Sequence, residues 1–349
     1  MKLLNKQVVL GRRPVGKPRA GDFDVVESSV PDIRQRQALV QNLYFSLDAG
    51  FRNWMDEDSG DDVLPAMPLN KPVMGLTLSR VIESKHPEYV EGQLLMGRLA
   101  WEEYSIASDD DFLVPLVDDG IHPLSYHLGI LGDTGMSAYF GLHDIANPGT
   151  NETVLISAAG GAVGSVAGQI AHILGAKRVV GFAGSDEKCD WLRDKLGYDA
   201  TINYRSENLE QSIAAACPDG IDIYFDNVGG PLLEPVLNQI NNGARIAFCG
   251  AVADYTRTEN SGPSNLFQLV TNCARIEGFL THTKVDRYDE ARRALSQWLS
   301  DGQLVSFEHM YEGIECCGQA FSDLFAGKNF GKTIVSANGP ALTNSVDPL

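Results

Sequence analysis

Residues 152–172 have the sequence Glu-Thr-Val-Leu-Ile-Ser-Ala-Ala-Gly-Gly-Ala-Val-Gly-Ser-Val-Ala-Gly-Gln-Ile-Ala-His. A β-branched apolar run leads into small residues and restarts as an amphipathic pattern, which predicts a strand, a glycine turn and a helix. The turn is expected to need Gly160 and Gly161 where a Cβ would clash, and Gly164 where the helix approaches the strand closely. The N–H groups of the first helical turn would then face the loop and could hold a phosphate.

Strands and helices alternate behind this turn, which indicates parallel pairing through right-handed crossovers and an α/β, doubly wound Rossmann sheet. The predicted strands are Thr153–Ser157, Arg178–Ala183, Ala200–Asn203, Ile221–Asn227, Ala244–Gly250 and Arg275–Leu280. The first helix is predicted to end at Gly175 and to bury a stripe of Val163, Val166, Ile170 and Ile173. The second is predicted to run from Ser185 to Gly197.

The chain before this region has a different spacing of apolar residues. From Gln7 to about His127, short alternating apolar runs are separated by Gly, Pro and Asp, which predicts an antiparallel, barrel-like β domain. These runs begin at Gln7, Phe23, Ala38, Gly75, Gln93 and Ala100. Between about Leu128 and Leu142 the apolar residues take the spacing of a helix, which indicates a hinge between the two domains.

Beyond a helix at Asp286–Leu299, the pattern predicts a strand at Gln303–Glu308, a helix near Gly313–Phe325 and a strand at Gly331–Ala337. Because the nucleotide-binding sheet is already complete, these elements are expected to return to the first domain. The predicted domains are therefore 1–130 with 303–340, and 131–302, followed by a mobile tail at 341–349.

Composition narrows the class of protein. The formal net charge of −18 argues against nucleic acid or an anionic membrane as partner. No apolar run approaches the roughly 20 residues of a membrane helix. Six cysteines without a Cys-x-x-Cys pair, and an N-terminus without a signal peptide, favour a cytoplasmic location.

The end of the second strand decides between the two nicotinamide cofactors. An NAD site normally places Asp or Glu there, to hold the ribose 2′-hydroxyl. This strand end carries no carboxylate, whereas Ser185 can donate a hydrogen bond and Lys188 follows one helical turn later. The pattern therefore favours NADP. Three alternatives stay open: Ser185 is only a helix cap, Lys188 is only a solvated lysine, or Asp186 reaches the ribose.

The missing motifs narrow the chemistry. The chain has no Ser-Tyr-x-x-x-Lys pair that could form a catalytic tyrosine and lysine. It also has no Cys or His cluster at zinc spacing and no Gly-His-Glu triplet, so no metal site is predicted. A nicotinamide enzyme of this kind has to polarise its carbonyl substrate with hydrogen-bond donors.

Several further motifs carry a resemblance to a known family. They are Asn42-Leu-Tyr-Phe-Ser-Leu-Asp, Gly135-Met-Ser-Ala-Tyr-Phe-Gly-Leu, Gly184-Ser-Asp-Glu-Lys, Tyr224-Phe-Asp-Asn-Val-Gly-Gly, Cys249-Gly and Gly327-Lys-Asn-Phe-Gly-Lys. With the glycine turn, they resemble the zinc-independent medium-chain reductases of the prostaglandin reductase and leukotriene B4 12-hydroxydehydrogenase type. This type includes 2-alkenal and curcumin double-bond reductases. The likeness extends from Gln7 to about Val335.

The resemblance implies a GroES-like β-barrel catalytic domain beside the Rossmann domain, with the active site between them, in a homodimer. It also implies NADPH-dependent reduction of the C=C bond of an α,β-unsaturated ketone or aldehyde. An NADPH:quinone reductase of the same fold and a non-catalytic NADPH-binding protein are the alternatives.

The resemblance also assigns roles to particular residues. Gly161, Ala162, Val163 and Gly164 would hold the pyrophosphate, Lys188 and Tyr204 the 2′-phosphate, and Asn227 and Asn329 other parts of the cofactor. The loops of Cys249 and Gly250 and of Phe279 to Thr281 would lie beside the nicotinamide. Tyr255 and the ribose 2′-hydroxyl would donate hydrogen bonds to the carbonyl oxygen of the substrate.

Two segments depart from the family pattern. Ala49-Gly-Phe-Arg52 replaces the usual Pro-Tyr-Met-Arg, so the aromatic ring that often lines the substrate cleft is missing at Gly50. Gly132-Asp-Thr-Gly135 replaces the usual Gly-Met-Pro-Gly beside the nicotinamide. Asp133 is then either a new polar contact or a surface substitution.

Overall fold

The computed structural model describes residues 3–60, 63–118, 120–205, 208–256 and 262–337. The chain divides into two compact units. The first comprises residues 1–128, 309–328 and 333–349, and the second comprises residues 129–308 and 329–332. The domain limits expected from the sequence differ from this division at each junction, and the expected tail at 341–349 lies outside the described residues.

The strands are β1 (Leu4–Leu10), β2 (Phe23–Ser29), β3 (Gln37–Ser46), β4 (Met74–Ser84), β5 (Leu94–Ala100), β6 (Tyr104–Ser108), β7 (Leu113–Leu116), β8 (Thr153–Ile156), β9 (Arg178–Ala183), β10 (Ala200–Asn203), β11 (Ile221–Asp226), β12 (Ile240–Phe248), β13 (Arg275–Gly278), β14 (Glu308–Glu312) and β15 (Lys332–Ser336). The α-helices are α1 (Asp133–Phe140), α2 (Ala162–Ile173), α3 (Asp186–Leu196), α4 (Leu209–Ala216), α5 (Leu233–Leu237), α6 (Phe267–Thr271), α7 (Tyr288–Ser300) and α8 (Cys317–Ala326). A π-helix spans Gly141–Ala146, and 3-10 turns include Ala49–Trp54 and Thr281–Arg287.

The first unit is built on a sheet in the order β14-β15-β3-β4-β5-β7, with β6 beside β3 and β1 paired with β2. The pairs of β3 with β4, β6 and β15 are antiparallel, which confirms the β architecture predicted for this part of the chain. Its core contains the tilted and edge-to-face rings of Phe23, Trp101 and Phe321.

The predicted run that begins at Ala100 is not a strand. Strand β5 ends at Ala100 and β6 begins at Tyr104, so the residues between them form a turn. Trp101 enters the core there, and the Glu102 carboxylate accepts hydrogen bonds from the side chains of Asn5 and Gln7.

The second unit is a parallel sheet in the order β10-β9-β8-β11-β12-β13. Numbered within the unit this order is 3-2-1-4-5-6, that of a Rossmann fold. The predicted fold class is confirmed. Central strand β8 is buried along its whole length, as expected for a strand covered on both faces.

Several strand predictions are wrong in their limits: the strand predicted at Arg275–Leu280 ends at Gly278, and the one predicted from Ala244 already begins at Ile240. Two further differences have a visible cause. The strand expected at Gln303–Glu308 begins only at Glu308. The Val305 N–H donates to the side-chain oxygen of Gln169 at 2.8 Å, and the Gln169 side-chain amide donates to the Val305 carbonyl at 3.0 Å, so neither backbone group is available to a neighbouring strand. The strand expected at Ala244–Gly250 ends at Phe248, because the N–H groups of Cys249 and Gly250 both turn to the carbonyl oxygen of Asp226.

The buried stripe of α2 also differs from the prediction. Val166 and Ile170 are buried with Ala167 and Ala171, but Val163 and Ile173 at the helix ends are only half-buried. Within the described ranges, every helix is too short or too polar to cross a lipid bilayer.

Candidate active site

The candidate site is described from the second unit, where the turn after β8 leads into α2. Gly161 is the N-cap of α2 and offers no side chain to the N–H groups of Ala162, Val163 and Gly164. These donors of the first helical turn have no partner within the helix. They remain available for an anion, which the positive end of the helix dipole also attracts.

Glycine is required in this turn at one of the three predicted positions. A Cβ at Gly164 would lie 2.4 Å from the carbonyl oxygen of Ala158 and 2.6 Å from the Cα of Ala159. At Gly161 it would lie 3.2 Å from the Ala158 oxygen, and at Gly160 it would meet only the Lys188 side chain, at 3.4 Å. The expected clash at Gly160 is therefore wrong, because a Cβ there would make only an ordinary van der Waals contact with a flexible side chain.

The ends of β9 and β10 bring Ser185, Lys188, Tyr204 and Arg205 together. Ser185 is the N-cap of α3, and its hydroxyl accepts the N–H of Lys188 at 3.3 Å while keeping its own proton to donate. A Cβ at Gly184 would lie 2.9 Å from the phenol oxygen of Tyr204, so that phenol lies against the strand end. Arg205 stacks over the Tyr204 ring at 5.7 Å.

Lys188 has no matching carboxylate in the part of the chain that the structure describes. Among the described residues, no Asp or Glu lies within ion-pair distance of its ammonium, which sits 5.4 Å over the ring of Phe330. Burial, with the nearby Arg205 guanidinium, lowers the pKa of Lys188 to about 8. A phosphate dianion at this position would stabilise the charged form, so the residues fit a 2′-phosphate.

Asp186, which raised the possibility of a ribose contact, is held elsewhere. Its carboxylate accepts a hydrogen bond from the Asn203 side chain at 2.8 Å. The structure thus shows Ser185 as a helix cap that retains a donor, Lys188 as a half-buried cation, and Asp186 engaged by its own neighbour.

Residues 329–332 run beside the glycine turn. The Gly331 N–H donates to the carbonyl oxygen of Gly160 at 3.0 Å, and Phe330 packs edge-on against Trp191. The Asn329 side chain is buried and donates to the Gly331 carbonyl at 2.8 Å. That bond uses one of the two amide N–H donors of Asn329.

A buried carboxylate joins the turns after β8 and β11. Asp226 accepts hydrogen bonds from the Ser157 hydroxyl at 2.9 Å and from the N–H groups of Val228 and Gly229 at 2.9 and 3.0 Å. Asn227 donates its backbone N–H to the Ser157 hydroxyl and its side-chain amide to the Ser157 carbonyl. Desolvation raises the pKa of Asp226.

The loop after β12 is fixed to the loop after β11 and carries Tyr255. The N–H groups of Val252 and Ala253 donate to the carbonyl oxygens of Asn227 and Val228. The Tyr255 phenol oxygen accepts the N–H of Ala251 at 3.2 Å, and burial raises the phenol pKa. At neutral pH the phenol therefore carries its proton, and the Ala251 bond leaves that proton free to be donated.

Asp133, one of the two departures from the family pattern, makes a polar contact and is not merely a surface substitution. The Thr281 hydroxyl donates to its carboxylate. The Cys249 thiol lies near the same carboxylate and near Ser137. Phe279, from the same loop as Thr281, packs on Phe225 where Gly141 leaves room. The two loops predicted beside the nicotinamide thus meet at the start of α1.

The other departure lies in the first unit. Arg52 is buried and its guanidinium donates to Asp56 at 2.8 Å and to the Pro14 carbonyl at 3.0 Å. Apart from its chain neighbours, no atom of the described residues lies within 4 Å of the position that a Cβ of Gly50 would take. The turn is therefore fixed by Arg52 and leaves open space at Gly50.

Family comparisons cover both units. A family model described as the N-terminal domain of oxidoreductase matches residues 6–115, and one described as zinc-binding dehydrogenase matches residues 162–299. An NADP-dependent 2-alkenal reductase of Nicotiana tabacum is 39% identical over 336 residues, covering 95% of this chain and 97% of the relative. The chain belongs to the medium-chain dehydrogenase/reductase family.

Other members of this family agree over similar lengths. An NADPH-dependent curcumin reductase of Escherichia coli is 38% identical over 341 residues, covering 96% of this chain and 97% of the relative. The crystal structure of CurA from Vibrio vulnificus in complex with NADPH has a TM-score of 0.88 and 36% identity, and the match covers 96% of this chain and all of that one.

The family also contains zinc enzymes, as one of the matching descriptions indicates. Among the described residues, no group of three or more His, Cys, Asp or Glu is placed to hold a metal ion. The predicted membership of the zinc-independent type is confirmed.

Three contributors to the site were missed from the sequence. Arg205 follows Tyr204 directly, so its adjacency to a predicted phosphate ligand was an available signal. Ser157 and Asp226 gave no such signal, because their partnership joins positions 69 residues apart.

Proposed function

We propose that the protein catalyses NADPH-dependent reduction of the C=C bond of α,β-unsaturated ketones and aldehydes. The observation that carries this proposal is the likeness, over almost the whole chain, to a 2-alkenal reductase and a curcumin reductase. The reactions in those names share an electron-poor C=C bond conjugated to a carbonyl group. This shared feature defines the substrate class.

The cofactor is NADP, and its proposed ligands are the predicted ones. The N–H groups of Gly161 to Gly164 would bind the pyrophosphate, and Ser185, Lys188 and Tyr204 the 2′-phosphate. The ammonium of Lys188 supports this assignment, because no described carboxylate pairs with it and a phosphate dianion would match its charge. Asn227, Cys249, Gly250, Phe279, Thr281 and Asn329 complete the proposed cofactor site.

Bound NADPH supplies the hydride that the β-carbon of the substrate receives. Negative charge then develops on the carbonyl oxygen of the substrate, and a donor placed beforehand lowers the barrier. The enolate next takes a proton at its α-carbon, from water or from Tyr255, which completes the reduction of the C=C bond. Such a donor typically contributes about 3–4 kcal/mol. Tyr255 is the proposed donor, because its phenol stays protonated and its proton is not used by Ala251.

The test is loss of NADPH absorbance with a panel of 2-alkenals, benzalacetone, curcumin and naphthoquinone, with the saturated product identified by mass. We expect turnover with the enals and enones. Turnover with naphthoquinone alone would instead indicate a quinone reductase. Tight NADPH binding without turnover on any member of the panel would indicate a non-catalytic protein.

We also infer a homodimer formed at the β13 edge of the parallel sheet. This edge strand is largely exposed, and adjacent α6 presents apolar side chains, with Phe267 72% and Val270 67% exposed. An open strand edge beside apolar side chains favours pairing with another chain. Light scattering should give twice the chain mass, and Val270→Asp should give the monomer.

A cytoplasmic location is the last part of the proposal. All six cysteines, each within the described part of the chain, are free thiols. Free thiols are typical of a reducing compartment.

A further inference from the structure

Asp133 is the residue at which this chain departs from its family in the second unit. It lies in the first turn of α1, directly after the N-cap Gly132. Its carboxylate accepts a hydrogen bond from the Thr281 hydroxyl, a residue 148 positions later in the chain. The usual methionine could not accept that bond, so the contact is specific to this sequence.

The same carboxylate acts on the loop after β12. Burial and the negative charge of Asp133 raise the pKa of the Cys249 thiol to about 12, against a smaller opposing effect of Ser137, which lies one turn further along α1. The charge of Asp133 also contributes to raising the pKa of Tyr288 to about 12, after burial. Asp133 therefore places a negative charge at the junction of the Cys249 and Thr281 loops.

A fixed negative charge distinguishes the two redox states of a nicotinamide. The oxidised ring carries a positive charge, whereas the reduced ring is neutral. A carboxylate in a partly buried site attracts the oxidised ring more strongly than it would in water, because screening is weaker there. It acts on the reduced ring only through weaker dipole interactions.

We propose that Asp133 is a positioning residue that makes this site favour NADP⁺ over NADPH, relative to a site with a neutral side chain there. The inference rests on the proposed function only in placing the nicotinamide beside the Cys249 and Thr281 loops. Two consequences follow: bound NADPH becomes a stronger hydride donor, and NADP⁺ becomes a stronger product inhibitor.

A purely structural role for Asp133 would be to hold the Thr281 loop. Two variants separate the two roles. Asp133→Asn removes the charge and keeps a carbonyl oxygen for the Thr281 hydroxyl. Thr281→Val removes the hydrogen bond and keeps the charge. Asp133→Met, which restores the residue usual in the family, is the second neutral variant if the asparagine protein folds poorly.

The measurement is the dissociation constant of each variant for NADP⁺, NADPH and adenosine 2′,5′-bisphosphate, by titration calorimetry. In Asp133→Asn and Asp133→Met, we expect the NADP⁺ constant to rise about three- to tenfold relative to that of NADPH. The bisphosphate lacks the nicotinamide, so its constant should stay within about twofold. Thr281 itself belongs to the proposed cofactor site, so Thr281→Val is expected to weaken NADP⁺ and NADPH by the same factor, which leaves the ratio of the two constants as in the wild type.

The proposal is overturned if both neutral variants keep the wild-type ratio, or if Thr281→Val shifts the ratio as much as they do. A shift in all three constants together would also overturn it, because a disturbed loop and not a charge would then be the cause. Binding is measured without substrate, so a failure of the enone reductase assay would leave this result intact.

Discussion

The phenol oxygen of Tyr255 accepts the backbone N–H of Ala251, four residues earlier in the same loop. This bond fixes the direction of the phenol without consuming its proton. The loop itself is fixed by the N–H groups of Cys249 and Gly250, which share the carbonyl oxygen of Asp226. Tyr255, the proposed donor, is therefore held in place by the backbone of two neighbouring strand ends.

Replacing Tyr255 by Phe should lower turnover of an enone at least about tenfold, because the donor to the developing oxyanion is lost. The dissociation constant of NADPH should stay within about twofold of wild type. Steady-state kinetics measure the turnover, and a binding titration measures the dissociation constant of NADPH. Unchanged turnover would remove Tyr255 from the mechanism.

Affinity for NADPH should weaken as pH rises above about 8. The pKa of Lys188 in the free protein is about 8, so the ammonium is charged below this pH and loses its proton above it. In the proposed site the 2′-phosphate binds the charged form of Lys188, and the second pKa of the phosphate lies near 6, so the phosphate itself stays dianionic throughout. The NADPH constant should therefore rise up to tenfold per pH unit above this point.

NADH is the matched ligand, since it lacks the 2′-phosphate and its affinity should not follow this titration. Lys188→Met should remove the pH dependence and most of the preference for NADPH. Titrations between about pH 7 and about pH 9.5 cover the transition. A parallel rise for both cofactors would exclude Lys188 as its origin.

The glycine turn offers a matched pair of substitutions. Gly164→Ala should destabilise the protein by about 2–3 kcal/mol, because the new Cβ would meet backbone atoms that cannot move independently. Gly160→Ala should change the free energy of unfolding by less than about 1 kcal/mol, because its Cβ would face only a flexible lysine side chain. Denaturant unfolding of both variants checks the difference, and equal losses would contradict it.

Local sequence patterns predicted the second unit well. The run of Arg178–Ala183 and the helix from Ser185 to Gly197 are bounded by a β-branched segment, a serine cap and a left-handed glycine, and each boundary agrees with the structure. Val305 shows where such patterns fail. It lies in a run with strand character, but the distant Gln169 side chain satisfies its backbone.

Only part of the proposed site can be predicted from local patterns. Ser185 and Lys188 are predicted as ligands because they follow a recognisable strand end. The contact of Thr281 with Asp133, and that of Ser157 with Asp226, join positions far apart in sequence. Nothing in either local segment specifies its partner, so these contacts required the fold.

Gly50→Tyr should narrow the range of substrates. Apart from its chain neighbours, no described residue has an atom within 4 Å of the position of its Cβ, so the new side chain begins in open space and stability should change by less than about 0.5 kcal/mol. We expect kcat/KM to fall several-fold for curcumin and to change little for a short 2-alkenal. Gly50→Ala is the control, and an equal loss for both substrates would contradict a role in pocket width.

Asp226 offers the sharpest stability test, because it is fully buried and serves three donors through one carboxylate oxygen. Asp226→Ala would leave those donors unpaired, and should cost about 2–4 kcal/mol. Asp226→Asn keeps an acceptor oxygen and removes a desolvated charge, so it should be much less destabilising.

The pH dependence of stability shows whether ionisation of the Asp226 carboxyl opposes or favours folding. Because the pKa of this carboxyl is raised in the folded protein, the folded state binds its proton more tightly than the unfolded state does. Ionisation therefore opposes folding, and this cost is present above the folded pKa and absent below the unfolded one. The difference in unfolding free energy between Asp226→Asn and wild type should thus shift in favour of Asn as pH rises through that window. A constant difference across the window would show that Asp226 is not ionised against a desolvation cost.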